Sequence, residues 1–363
     1  MEKINVGIIF GGKSSEHEVS EVSAQAIINN ISKDKYNLHL IGITKQGEWF
    51  LLTDGYDTVG SGEWEKSSSK KRAFISPDSE VKGLMAQIND GNFEKISLDA
   101  VIPVLHGKNG EDGTVQGLLE LSGIPFVGCD TLASAACMDK VITNCVLLYN
   151  GINKPAFNWF YSHEFENNAD KIIEETEKII KKYPMFVKPA NAGSSVGVSK
   201  ANNREELIKG IKIAAREDKK ILIEEGIVGK EVECAVLGNE NPIPSVVGEI
   251  DSSSGFYDYE AKYVNDSSQL FIPARISEKT SDEIRKTAVE AYRIMGCSGL
   301  SRVDFFVEND TNKVFLNEIN TFPGFTDISM YPKLMKKIGI DFSDLIDKFI
   351  NLAIERKKSF ERS

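Results

Sequence analysis

Two short segments toward the C-terminus carry the side chains best suited to chemistry. Arg302-Val-Asp304 and Glu318-Ile-Asn320 each set two polar groups at i and i+2. On a strand such positions share one face, while Val303, Phe305 and Ile319 turn to the other. Asp304, Glu318 and Asn320 supply the hard oxygens that Mg²⁺ prefers, and Mg²⁺ held this way usually bridges substrate phosphates. A solvent-facing polar sheet would give the same pattern, but both segments are otherwise apolar (Phe305, Phe306, Val307; Val314, Phe315, Leu316), and isolated charges in buried strands need partners. A third segment, 186–198, reads as a strand ending in Lys188 followed by the small residues Gly193, Ser194, Ser195 and Gly197. Small residues let backbone N–H groups approach a phosphate, the loop can close as a lid, and the lysine adds a point charge. A plain hairpin turn is the alternative, and Lys188 weighs against it.

Two further loops follow apolar strands. His106 to Gly113 packs three glycines into eight residues before a helix from Thr114; ligands bind at such strand ends in open α/β sheets, and a tight turn is equally compatible. Ser15 and Glu18 fit a capping box opening a helix. Glu16 is not needed for capping, and a carboxylate beside a helix N-terminus can hold an ammonium while the dipole attracts a carboxylate. Gly7 to Ser14 matches the Walker A spacing, but that loop must follow a strand and Ile8 to Phe10 are themselves the strand, so a P-loop is rejected. His17, His39 and His163 read as surface or neutral packing residues.

The elements that position these groups alternate. Val6 to Phe10, a helix burying Val19, Val22, Ala26 and Ile27, then Leu38 to Ile43 and Ala100 to Leu105 predict an α/β sheet at the front. Residues 47–90 are polar and read as a surface insertion. A second unit begins near Gly128, with a helix around Leu132 to Lys140 and a charged helix Ala169 to Lys182 whose Ile172, Ile173, Ile179 and Ile180 form the buried stripe. Strands Met185 to Lys188, Ile221 to Glu225, Ser301 to Glu308 and Lys313 to Asn320 follow, with a helix Asp341 to Glu355 at the end.

Composition bounds the rest. The 363 residues, 41% hydrophobic and 27% charged, predict two or three globular domains. With 43 Lys+Arg against 54 Asp+Glu, a net charge of -11, broad binding to nucleic acid or anionic membrane is not expected, because phosphate neutralisation needs clustered basic residues. No apolar run approaches a membrane span of about 18 residues and no signal peptide is evident, so a cytoplasmic protein is expected. The cysteines (Cys129, Cys137, Cys145, Cys234, Cys297) read as reduced and mostly buried, without zinc or disulfides.

Taken in chain order, GGKSSEHEVS from Gly11, LHGKNGEDGTVQG from Leu105, MDK at Met138, VKPANAGSSVGVSK from Val187, GFYDYEAKY from Gly255, SRVDFF from Ser301 and NEINTFPGFT from Asn317 resemble the D-alanine–D-alanine ligase family of the ATP-grasp superfamily. The resemblance runs nearly the whole chain. It implies a three-domain α/β ATP-grasp fold: an N-terminal open parallel α/β domain (1–128), a central domain (129–224) and a C-terminal catalytic domain (225–363). It also implies ATP-dependent joining of two D-alanines, for peptidoglycan precursor synthesis, through an acyl phosphate that the second amine attacks. By the same resemblance Lys140, Lys188 and Lys262 would clamp the ATP phosphates under the Ser195 loop, with Glu224 near the adenine and Glu231 at the ribose. Asp304, Glu318 and Asn320 would hold two Mg²⁺ or Mn²⁺ ions. Arg302 and the backbone N–H of Gly324 would stabilise the acyl phosphate and the tetrahedral oxyanion. Glu16 would bind the first ammonium, linked to Ser194 and Tyr263 with His106 nearby; Ser329 and Met330 would receive the second amino acid. The family suggests a homodimer.

The family includes vancomycin-resistance ligases that use D-lactate or D-serine. Lactate-type members replace the Tyr259 to Tyr263 segment, which this chain keeps. One D-serine subgroup shares its IGITKQGEW phrase but carries an Arg where this chain has Met330. Burying a serine hydroxyl unpaired costs about 1–3 kcal/mol, or roughly tenfold and more, so D-alanine is expected as second substrate. Asp327-Ile328 departs from the family's usual Ser with His or Tyr, which makes the role of Ser329 less secure than that of the metal ligands. Another ATP-grasp carboxylate–amine ligase is disfavoured by the Glu16 to Ser20 and His106 to Gly113 motifs, which serve the small D-amino-acid site. A nonenzymatic nucleotide-binding relative would be expected to have lost a magnesium ligand or Arg302.

Overall fold

The computed structural model describes residues 3–252, 268–326 and 328–360; Tyr259, Lys262, Tyr263 and Asp327 lie outside the described residues. At the front, β1 (Ile4–Gly11) pairs in parallel with β2 (Tyr36–Ile43) and β7 (Ala100–Pro103), and α1 (His17–Asn30) makes the crossover. Gly7 to Phe10 are in β1 itself, as the rejection of a P-loop requires.

The stretch expected to be a surface insertion instead continues this sheet. β3 (Trp49–Leu51), β4 (Lys71–Ile75), β5 (Gly83–Asn89) and β6 (Asn92–Ser97) add antiparallel strands in the order β6-β5-β4-β3-β2-β1-β7. The expected insertion, 47–90, holds β3, β4 and β5, and β6, nearly all exposed, follows it as the edge strand. Between β3 and β4, Trp64 is 1% exposed, meets Phe10 edge-on at 5.2 Å and donates its indole N–H to Glu21 at 2.6 Å. Trp64→Ala is expected to cost about 3–5 kcal/mol, read as a lower urea midpoint, because the cavity would open inside the core.

The buried face of α1 is Val19, Ser20, Ser23, Ala24, Ile27 and Ile28, whereas Val22 is 43% exposed. Small serines win that face because the backbone comes close: Ser20 Oγ accepts from Gly11 N at 2.8 Å and donates to the carbonyl of Val104. The capping box does not form. Ser14 Oγ accepts from Glu16 N at 3.1 Å and donates to His106 O at 2.9 Å, while Glu18 pairs with Lys45.

After α2 (Thr114–Ser122) come α3 (Thr131–Met138) and α4 (Lys140–Tyr149), bent by 100° at Asp139. Asp139 caps α4, accepting from Val141 N at 3.0 Å and Ile142 N at 3.1 Å. No single described helix is long and apolar enough to cross a membrane. A four-stranded sheet, ordered β10-β9-β11-β8, combines β8 (Phe157–Tyr161), β9 (Met185–Pro189), β10 (Ser199–Ala201) and β11 (Lys220–Glu225). It packs on α5 (Ser162–Ile180) and α6 (Arg204–Ala214). The stripe of α5 includes Phe165, Ile172, Ile173, Thr176 and Ile180; Ile179, expected in it, is 47% exposed.

The last sheet, ordered β14-β13-β12-β15-β16, comprises β12 (Gly229–Leu237), β13 (Ile243–Ser252), β14 (Ser268–Phe271), β15 (Leu300–Glu308) and β16 (Val314–Asn320). One face shares a core with α3, α4 and α7 (Glu278–Ile294). Helices α8 (Met330–Lys337) and α9 (Phe342–Phe360) join that sheet to the front one: Leu345, Ile346 and Phe349 belong to the same core as Ile8 and Phe10.

Candidate active site

One cleft of about 1320 Å³ lies between the four- and five-stranded sheets and reaches the front sheet, and it is lined by every described candidate residue from the sequence. At its inner end three segments converge on Glu16, which is 6% exposed. Ser194 Oγ donates to Glu16 Oε1. A Cβ added at Gly193 would lie 2.4 Å from Glu16 Oε2, and one at Gly107 2.3 Å from it. A side chain at either glycine would displace this carboxylate, and Gly107 also holds a left-handed φ of 68° that favours glycine. Ser194 and Ser195 hold φ of 47° and 59°, left-handed backbone that costs non-glycine residues about 1–3 kcal/mol and concentrates at functional sites.

His106 is 5% exposed, with Nε2 3.3 Å from Ser23 Oγ, and burial lowers its pKa to about 4, so it is neutral at pH 7. Beside it Glu111, which the sequence reading did not single out, accepts from Gly107 N at 2.8 Å. Burial, then the charge of Glu16, raises its pKa to about 8. Two acids therefore face this end, and the charge of one opposes ionisation of the other.

The middle of the cleft carries the cations. Lys140 opens α4, donates to Ala192 O at 2.8 Å and lies 4.0 Å from Glu318. Lys188 pairs with Glu224 at 2.7 Å and reaches Asn317 Oδ1 at 3.4 Å. Glu224, expected near an adenine, thus also serves as the buried counter-ion of Lys188, and accepts from Asn144 at 2.8 Å. Burial opposes both charges, yet their attraction outweighs it: Lys188 stays protonated above the usual lysine range and Glu224 ionised below the carboxylate range. Behind them Lys154 is 6% exposed, its pKa brought down to about 7 by burial. Glu231 on β12 lines the same wall. Lys262, expected in this group, and Tyr263, expected beside Glu16 and Ser194, lie outside the described residues.

Register brings the two strands together: Asp304 pairs with Glu318 and Arg302 with Asn320, so the groups that the i, i+2 spacing put on one face of each strand lie side by side. Arg302 donates Nε–H and Nη2–H to the two oxygens of Asp304, both at 2.7 Å, and contacts Glu233 at 3.0 Å. Asn320 donates to Asp304 at 2.9 Å. A bulge between Asp304 and Phe305 shifts the register so that Phe305 faces Leu316. The extra residue is Asn317, which period-2 reading would have turned away from the cleft. Glu233 was missed although it follows Glu231 at i+2. This donor set of two carboxylates and an amide oxygen on paired strands, with no sulfur, fits a hard cation such as Mg²⁺ or Mn²⁺.

Gly324 and Ser329 are adjacent: a Cβ on Gly324 would come 3.0 Å from Ser329 Oγ, which accepts from Thr326 N at 3.0 Å. Met330 is 4% exposed, packed so closely on β13 that a Cβ at Gly248 would lie 2.8 Å from its sulfur.

Cys129, Cys137, Cys234 and Cys297 are buried free thiols, Cys137 at the cleft wall, and Cys145 is an exposed one. His17, expected at the surface or as neutral packing, is buried against polar partners. It bonds Gly12 O at 2.8 Å and lies 3.2 Å from Glu21 and 3.5 Å from Glu65. Burial opposes its charge, but the bond to Glu21, with Gly12 and Glu65, raises its pKa.

Two family models match the chain, one described as D-ala D-ala ligase N-terminus over residues 5–129 and one as D-ala D-ala ligase C-terminus over residues 146–351. Among curated proteins it is 50% identical to a D-alanine–D-alanine ligase of Ruminiclostridium cellulolyticum, covering 100% of this chain and 98% of the relative. It is 51% identical to that of Caldicellulosiruptor bescii, covering 100% and 99%. Among solved structures, the VanG D-Ala:D-Ser ligase from Enterococcus faecalis aligns with TM-score 0.87 at 42% identity over 97% of this chain and 100% of that one. The D-alanine-D-alanine ligase from Coxiella burnetii aligns with TM-score 0.85 at 34% identity, over 99% and 98%.

Proposed function

The chain belongs to the D-alanine–D-alanine ligase family, and from that premise we propose that it joins two D-alanines at the expense of ATP, supplying a dipeptide for cell-wall synthesis. One observation carries the reading: a carboxylate tied to the Ser194 loop, an Arg–Asp–Glu–Asn constellation and the half-buried Lys140 and Lys188 line a single cleft.

A carboxylate does not acylate an amine at neutral pH without activation. Glu16 binds the ammonium of the first D-alanine and so turns its carboxylate toward the middle of the cleft. Lys140 and Lys188 hold the ATP phosphates there under the Ser194–Ser195 loop, joined by Lys262, with Glu224 and Glu231 on the nucleotide side. Arg302 and the N–H of Gly324 stabilise the charge that develops on the acyl phosphate and on the tetrahedral oxyanion formed when the second amine attacks. Two Mg²⁺ or Mn²⁺ ions, when bound by Asp304, Glu318 and Asn320, would neutralise phosphate charge. His106, neutral, contacts the first amino acid without competing for Glu16, and Tyr263 completes the link from Ser194. The proposal keeps the domain limits 1–128, 129–224 and 225–363, a cytoplasmic homodimer and no nucleic-acid or membrane partner; the three separate sheets support the division.

The likeness to a D-Ala:D-Ser ligase favours a second reading in which D-serine is the nucleophile. Ser329 and Met330 line the end where the second amino acid would sit, and a buried methionine offers a serine hydroxyl no strong partner. Phosphate release with ATP and Mg²⁺ is expected with D-alanine alone, and kcat/KM for D-serine as second substrate should be lower by about tenfold or more. Equal values for the two would refute this specificity, and no release with D-alanine would refute the ligase reading.

A further inference from the structure

Lys154 stands in the link between α4 and β8, in the sequence Asn153-Lys154-Pro155. Pro155 lines the cleft but Lys154 does not; its ammonium is buried behind the wall that carries Lys188, Glu224 and the β16 bulge. The link grips that bulge twice. Leu316 N donates to Asn153 O at 2.9 Å, and Lys154 Nζ donates to Asn317 O. Asn317 in turn points its Oδ1 at Lys188, 3.4 Å away, and the next residue is Glu318.

Charge balance adds a second argument. The buried carboxylate of Glu224 is paired with Lys188 at 2.7 Å and bonded to Asn144 at 2.8 Å. If Lys188 turns to a nucleotide phosphate, Glu224 loses its nearest cation, and an uncompensated buried charge is strongly destabilising. Lys154, which does not line the cleft, interacts electrostatically with Glu224 and Glu318; burial brings its pKa to about 7, and a Glu224 no longer neutralised by Lys188 would favour its protonated form.

Resting on the ligase reading, we propose that Lys154 is a positioning residue for nucleotide binding: it holds the Asn317–Glu318 bulge from behind and keeps Glu224 compensated, which frees Lys188 for the phosphates. Lys154 touches neither substrate, so its removal acts on ATP and not on D-alanine.

The test uses the full chain carrying K154M, with K154R as the charge-retaining control. The dissociation constant of ADP is measured by calorimetry without turnover, alongside KM for ATP and for D-alanine. K154M is expected to weaken ADP binding by about tenfold and to raise KM for ATP similarly, with KM for D-alanine within about twofold of the unaltered chain; K154R should recover most of the ADP affinity. A folded K154M that binds ADP as the unaltered chain does, or one whose KM rises equally for both substrates, overturns the proposal. Should K154M not fold, K154Q keeps an amide donor for Asn317 O without the charge: weakened ADP binding supports the proposal and unchanged binding overturns it. D-alanine joining by the unaltered chain is scored separately, so failure of the ligase reading is distinguishable from failure of this proposal.

Discussion

Glu318→Gln is expected to leave a folded protein whose kcat for phosphate release falls by about 10²-fold or more. The amide keeps a neutral oxygen in the same place but removes a negative charge from the hard-oxygen set that would hold the metal ions, and phosphoryl transfer depends almost wholly on positioning and charge neutralisation. Glu318 is the better choice because its replacement leaves the Arg302–Asp304 pair in place. Asp304→Asn should reduce turnover comparably but also break the bidentate Arg302 pair at 2.7 Å. Arg302 would then rely on Glu233, and the melting temperature should fall as well. Circular dichroism and phosphate release separate the two effects. Turnover of Glu318→Gln within a few-fold of the unaltered chain would remove Glu318 from the metal-binding set.

How far the site could be read in advance follows from which residues obey a period. Arg302, Asp304, Glu318 and Asn320 lie on strands, where i and i+2 share a face; only the fold shows that the register pairs Asp304 with Glu318 and Arg302 with Asn320. Asn317 escaped that logic because a bulge breaks the period, and bulges depend on tertiary fit more than on local sequence. Lys154 and Glu111 escaped because single charged residues in loops announce nothing; only burial and their neighbours give them meaning. The glycines of the His106 to Gly113 and 191–197 loops were legible as permissive backbone. That Gly107 and Gly193 both press on the same carboxylate was not, since the two are brought together by folding alone. Residues 47–90 were misjudged because their strands are short or carry polar residues such as Lys71, Arg72 and Gln87 on partly exposed faces.

The bond between Glu16 and Ser194 joins the start of the front helix to the loop after β9, and its two ends should prove non-additive. Glu16→Gln removes the charge that would hold the first ammonium; hydrogen bonds to charged groups are worth about 1.5–3 kcal/mol, so KM for the first D-alanine should rise about 10- to 100-fold. The loss has a second component. With Glu16 neutral, a cause of the raised Glu111 pKa disappears, and Glu111 should ionise at lower pH, moving any limb of the pH profile that reports it toward acid. Ser194→Ala leaves Glu16 charged but frees the loop, whose left-handed Ser194 and Ser195 are held in place partly by this contact. A smaller rise, about tenfold, is expected, mostly in the nucleotide term, because the same loop covers the phosphates. Once Glu16 is gone Ser194 has lost its carboxylate partner, so the double variant should be better than the product of the singles by a coupling of about 0.5–3 kcal/mol. Strict additivity in kcat/KM would mean that the loop and the amino-acid site act independently, and the inner end of the cleft would then have to be assigned differently.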